Sequence, residues 1–128
     1  MNIDIMGNNQ NIAVIRSNDL LITDVQSALD LAMTVSYETG LQNLVLPKTC
    51  FTNDFFVLST RLAGDVLQKY INYAFKLAVW GDYSVYNSKP LHDFIYESNN
   101  GKDFFFVGTE AEAIEKLERV SFSQMEMK

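Results

Sequence analysis

The sequence predicts a single α/β domain, a mixed and mostly parallel sheet of about five strands with helices on both faces, in the order β-β-α-β-α-β-α-β-α. Three observations carry this expectation. Between Arg61 and Gly101 the chain reads as helix, buried strand, Gly-Asp turn and second helix: Leu62, Ala63, Val66, Leu67, Tyr70 and Ile71 recur at helical spacing, and the apolar run Phe75 to Trp80 stops at Gly81-Asp82. Leu44-Val45-Leu46 and Phe104-Phe105-Phe106-Val107 are apolar without alternation, as strands covered on both faces must be. Right-handed crossovers between parallel strands then bring the intervening helices onto the sheet.

Each element has local signals. Ile3 and Ile5 alternate with polar neighbours, Gly7-Asn8-Asn9-Gln10 supplies turn chemistry, and Ile12 to Ile15 follows, which predicts a hairpin. Thr23 with Gln26 has capping-box spacing ahead of Val25, Ala28, Leu29, Ala32, Met33 and Ser36, and Gly40 is placed to end that helix. Pro47 closes the strand Leu44 to Leu46. Phe55 to Tyr73 is predicted helical with a break near Ser59-Thr60, and Gly64 inside it implies a close helix contact. Leu91, Phe94 and Ile95 mark a third helix ended by Asn99-Asn100-Gly101. Thr109 and Glu112 form a second capping box for a last helix through about Arg119. The domain is expected to span residues 1–119. The segment 120–128 is a tail whose alternation from Val120 to Met127 suits an edge strand, docking on another subunit, or fraying.

Composition narrows the functional classes. With 10 Lys and Arg against 16 Asp and Glu, the formal charge of −6 provides no positive field for nucleic acid or anionic membrane, so neither is an expected partner. A lone Cys50, no secretory leader at Met1 to Ile5 and no apolar run of ~20 residues point to a soluble, reducing, cytoplasmic setting. One His, one Cys and the lack of a Gly-x-Gly-x-x-Gly fingerprint imply no metal, flavin or nicotinamide cofactor.

Candidate site residues follow from the rule that ligands of open α/β sheets favour the carboxyl ends of strands. That rule selects the Arg16-Ser17-Asn18-Asp19 segment, the Lys48 to Asp54 loop, the Gly81 to Ser88 loop and Gly108-Thr109. The functional surface is expected at two of these, the Lys48 to Asp54 loop, with Lys48, Thr49 and Thr52, and the Gly81 to Lys89 loop, with Asp82, Tyr83, Ser84, Tyr86, Ser88 and Lys89. The Ser88-Lys89 helix start suits an acidic group of a ligand or partner, and Tyr83 and Tyr86 suit apolar contact. The plainer reading of the same residues is a turn at Gly81-Asp82 and a cap at Ser88. A binding or regulatory module recognising a protein or a small acidic ligand is the leading reading. A small enzyme built from Asp82, Ser84, Ser88 and His92, helped by Arg61 or Lys89, is the alternative, and a structural homodimer is the third. Arg61 more ordinarily pairs with Asp54 or Asp65, and Cys50 is more ordinarily a small buried hydrophobe.

The segments Thr23 to Leu31, Tyr37 to Gly40, Asp54-Phe55-Phe56, Leu62 to Lys69 and Asp93 to Asn99 resemble a bacterial family, the domain of unknown function 4180, over roughly Ile3 to Leu117. That resemblance implies no established activity. The element order is also similar to STAS domains, typified by anti-sigma-factor antagonists, an analogy of topology alone. STAS antagonists carry a phosphorylatable Ser after an Asp at the start of a helix following a central strand. Here Lys48-Thr49-Cys50-Phe51-Thr52 occupies that region without an Asp-Ser pair.

Overall fold

In the computed structural model, which describes residues 1–126 and their side chains as far as Ser121, the sheet has the order β1-β2-β3-β4-β5. The strands are β1 (Asn2–Met6), β2 (Ile12–Arg16), β3 (Asn43–Pro47), β4 (Lys76–Trp80) and β5 (Phe104–Val107). The helices are α1 (Val25–Thr39), α2 (Leu62–Asn72), α3 (Lys89–Asn99) and α4 (Glu110–Glu126). β1 pairs antiparallel with β2, and every other pairing is parallel. Because each parallel strand is laid beside the one before it, right-handed crossovers put α1, α2 and α3 on one face. Only α4, which follows the last strand, is free to close the other.

The alternation of side chains along each strand divides the core accordingly. Ala13, Ile15, Leu44, Leu46, Leu77, Val79, Phe104 and Phe106 pack with buried residues of α1, α2 and α3. Ile12, Val14, Val45, Ala78, Phe105 and Val107 pack with Ala113 and Leu117 of α4. The three uninterrupted apolar runs of the sequence are therefore strands with helices on both faces, as expected, and β2 is covered on both faces as well. Tyr70 ties α2 to α1: its hydroxyl donates to the Ala28 carbonyl at 2.7 Å, and burial pushes its pKa up.

Several local expectations are corrected. The cap of α1 is Asp24, not Thr23: the Asp24 carboxylate accepts the Ser27 N–H at 2.7 Å, and the Ser27 hydroxyl accepts the Asp24 N–H at 3.1 Å. The capping box is displaced by one residue because Asp and Ser here outcompete Thr and Gln. Gly40 does end α1, with φ 75° and its N–H on the Ser36 carbonyl. The segment before α2 is not α-helical from Phe55 but forms three short 3₁₀ turns at Lys48–Cys50, Asn53–Phe56 and Leu58–Thr60. These tight turns gather Phe51, Phe55 and Phe56 into one aromatic cluster with centroids 4.8–6.2 Å apart. The expected break falls one residue late, at Arg61, whose φ of 66° ends the last turn and starts α2. Arg61 is exposed, and among the described residues it pairs with neither Asp54 nor Asp65. Gly64 makes no close contact either: a Cβ there would meet nothing within 4 Å.

The final helix is longer than expected. Val120 and Ser121 continue the stripe set by Ala113 and Leu117, so residues 120–126 prolong α4 instead of forming a strand. Buried Ser121 accepts from the Asn43 amide at 3.2 Å and fastens α4 to β3; Met127 lies outside the described residues. At Phe106 the free edge of β5 is covered by a side chain of α3. Asn99 Nδ2 donates to the Phe106 carbonyl at 3.0 Å, and Asn99 Oδ1 accepts the Phe106 N–H at 2.7 Å, replacing a neighbouring strand. No helix among the described residues is long and apolar enough to cross a membrane.

Gly64→Ala is expected to raise stability by about 0.5–1 kcal/mol, since it improves helix propensity at a position with open space around it. Asn99→Ala should lower it by about 1–3 kcal/mol by leaving both backbone groups of buried Phe106 unpaired. Urea denaturation of the two variants beside the parent chain measures both.

Candidate functional site

The site grows out of the last pair of the β3–β4 ladder, Pro47 opposite Trp80. One residue further, Lys48 and Gly81 leave the sheet side by side, and the contact is tight: a Cβ on Gly81 would lie 2.6 Å from Lys48 Cβ. Gly81 does not have a positive φ, so the glycine is required by close approach and not by turn conformation. The Lys48 stem thus lies on the Gly81 backbone. Its ammonium is held 4.8 Å from the centroid of Tyr86 and 5.5 Å from that of Phe56. Those rings are stacked on each other at 5.6 Å, and the aromatic faces attract the cation electrostatically.

Beside the ammonium opens a cleft of about 360 Å³, lined among others by Leu20, Thr49, Thr52 and Asn53. No carboxylate lies within ion-pair distance of Lys48 among the described residues. Asp82 feels the Lys48 charge, but its carboxyl is held below the ordinary range chiefly by hydrogen bonds from the Ser84 hydroxyl at 2.6 Å and the Ser84 N–H at 2.9 Å.

The rest of the 81–92 segment builds the wall of this cleft. Tyr83 turns inward: its hydroxyl donates to the Val79 carbonyl at 2.9 Å, and its ring meets Phe56 and Phe106. Burial raises its pKa. Ser88 caps α3 by accepting the Leu91 N–H at 3.2 Å. Lys89 pairs with Asp93 at 2.7 Å on the exposed side of α3. His92 Nε2–H donates to the Tyr86 carbonyl at 2.7 Å, which fixes the tautomer and pins the loop that carries the Tyr86 ring. Asp82 and Ser84 are therefore bonded to each other, while Ser88 holds the Leu91 N–H and His92 the Tyr86 carbonyl, and among the described residues no hydrogen bond joins Ser88 or His92 to the Asp82–Ser84 pair. Cys50 is buried, with its thiol toward the Ser17 carbonyl at 3.6 Å, and burial and Asp19 both push its pKa up. No group of His, Cys, Asp and Glu among the described residues is arranged to hold a metal ion.

Two other clefts bear on the choice. The larger, about 600 Å³, lies at the opposite end of the sheet, where Lys76 is already bonded to Asp103 at 2.8 Å and to the Lys102 carbonyl at 3.1 Å. The second, about 330 Å³, is on the α4 face beside Pro47 and Trp80, where Arg16 is bonded to both Asp4 and Glu110. Lys76 and Arg16 thus have their carboxylates, while Lys102, which also lines the first cleft, has no ion pair among the described residues and no aromatic ring against its ammonium. Among these clefts, the one with an unpaired cation held against aromatic rings is that at Lys48.

Sequence reasoning selected Lys48, Thr49, Thr52 and Tyr86, which the structure brings together, and missed Phe56 and Gly81. Phe56 read as part of a helix core, and Gly81 as an ordinary turn residue. The signal for Gly81 was its place one residue beyond an apolar strand, where neighbouring backbones are still close. Gly81→Ala is expected to cost ~1–3 kcal/mol, because the new methyl meets a Cβ that cannot rotate away. Lys48→Met, which keeps the stem, should stay within ~0.5 kcal/mol of the parent in the same urea titration. An unchanged midpoint for Gly81→Ala would contradict the close approach.

Comparison with known proteins gives one match. No curated protein and no solved structure matches the chain. The family model described as Domain of unknown function (DUF4180) matches residues 7–117, a span that runs from the β1–β2 turn to the buried Leu117 of α4 and contains the whole Lys48 cleft. The chain belongs to the DUF4180 family.

Proposed function

We propose that this protein is a small cytoplasmic binding or regulatory module whose Lys48 cleft receives one acidic group, a carboxylate or phosphate, from a small ligand or a partner protein. One observation carries the reading: the ammonium of half-buried Lys48, held against two stacked aromatic rings, has no carboxylate within ion-pair distance among the described residues. A cation held this way is preorganised for an incoming anion, so little side-chain entropy remains to be lost on binding. The exposed Thr49 hydroxyl and the half-buried Thr52 hydroxyl line the same cleft and are suited to bond the remaining oxygens of the group. Buried, unpaired Cys50 fits a reducing compartment.

The helix start at Ser88-Lys89 contributes less than its sequence implies. Pro90 has no N–H, Ser88 already takes the N–H of Leu91, and Lys89 is paired with Asp93. The acidic group is therefore assigned to Lys48, Thr49 and Thr52, with Tyr86 as the apolar wall. A net charge of −6 further favours a ligand with one acidic group over a polyanion.

The test is a thermal-shift screen with inorganic phosphate, citrate, adenosine monophosphate and a phosphothreonine peptide, run on the parent chain and on Lys48→Met. A ligand at 100 times its Kd stabilises the native state by ~2.7 kcal/mol, which a melting curve resolves. At least one probe is expected to raise the Tm of the parent and not that of Lys48→Met, with the two unliganded melting temperatures alike. Probes that stabilise both proteins equally would move the site away from Lys48, and a panel without effect would count against acidic recognition.

A further inference from the structure

The two edges of the sheet are treated differently. At β5 the side chain of Asn99 satisfies the outward backbone groups of Phe106. At β1 no strand and no side chain does so among the described residues. The ladder shows which groups are left open. Lys76 N–H donates to the Gln42 carbonyl, so even-numbered residues of β3 face β4 and odd-numbered ones face β2. With Ala13 opposite Leu44 and Val14 opposite Val45, Ala13 and Ile15 face β3, leaving Ile12, Val14 and Arg16 to face β1. Their partners Met6, Asp4 and Asn2 face inward, and the N–H and C=O groups of Ile3 and Ile5 point off the sheet.

From this the geometry points to a symmetric dimer in which β1 pairs antiparallel with β1 of a second copy, joining two five-stranded sheets into one of ten. The occupant is a second copy because the strand is self-complementary. Asn2-Ile3-Asp4-Ile5-Met6 is nearly palindromic about Asp4, so a two-fold axis through Asp4 sets each Ile3 opposite the Ile5 of the other chain, with the open groups of both aligned. Of the usual protections the edge has its short length and the single charge of Asp4, but β1 contains no Lys, no Pro and no bulge, and Ile5 is 48% exposed. Its one charge, Asp4, would meet its own copy across the axis, but each carboxylate is already bonded to an Arg16 guanidinium on the same face. The Asn99 side chain laid over Phe106 at both outer edges then ends the assembly at two chains. A contact built on one five-residue strand falls below the ~1,200 Å² of standard interfaces, so the dimer is a weak one that dissociates on dilution.

Sedimentation velocity from ~1 μM to ~1 mM, with amide exchange at both ends of that range, tests the assembly. The parent chain is expected to pass from monomer to dimer, with the Ile3 and Ile5 amides gaining protection as it does. Ile5→Lys and Ile5→Pro should remain monomeric with the circular dichroism of the parent, the proline removing an N–H that the β1–β2 ladder does not use. Asp4→Asn, which removes the like charges at the axis, should tighten the dimer about two- to five-fold, a gain that a folding defect would not produce. A parent chain that stays monomeric throughout, a dimer that survives both Ile5 substitutions, or one that Asp4→Asn weakens would each overturn the proposal.

Discussion

Strand order is the constraint on which the rest depends. β2, β3, β4 and β5 lie side by side in chain order, all parallel, and a right-handed crossover between adjacent parallel strands has only one face to use. Three helices therefore share one face, and the whole opposite face falls to α4, which is why α4 is the longest helix and why Asn43 and Ser121 fasten it. The same order removes the reversal in strand sequence that creates the ligand crevice of doubly wound folds. A binding site here must be built by the loops, because the topology does not supply one.

The loops supply it by crowding. Lys48 and Gly81 emerge from adjacent strands with no room for a second Cβ between them, so the lysine stem is held by backbone and its head by two rings. The rings are themselves set from below: Phe56 sits in the aromatic cluster over the sheet, and Tyr86 is on a loop pinned by His92 and by the inward Tyr83. Rigid support under a cation that has no ion pair among the described residues separates a binding group from a surface lysine. Arg16 and Lys76, by contrast, hold the fold together, because each is bonded to carboxylates brought from distant parts of the sequence.

What was legible in the sequence was the pattern imposed by burial. Leu44 to Leu46, Leu77 to Val79 and Phe104 to Val107 announced doubly covered strands because both of their faces must be apolar, and Gly40 announced a helix end because φ is positive there. What stayed hidden were choices between near-equal local options: Asp24 or Thr23 as a cap, 3₁₀ turns or α-helix around Phe55, solvent or a close contact at Gly64. Those are decided by tertiary contacts and by differences of about 1 kcal/mol that spacing does not reveal. In the site, residue types nominated Lys48, Thr49, Thr52 and Tyr86. Their convergence depends on the Lys48–Gly81 approach and on Phe56, neither of which has a sequence signature of its own.

The claim at the centre of this account is that the Lys48 ammonium is held over aromatic faces in the unliganded protein. Proton NMR of the Lys48 ε-methylene tests it directly, since ring currents shift nuclei above an aromatic face upfield. The account predicts an upfield-shifted Lys48 ε resonance that returns to the ordinary lysine position in Tyr86→Leu, while the other lysines do not change. A Lys48 resonance at the ordinary position in the parent chain would contradict it.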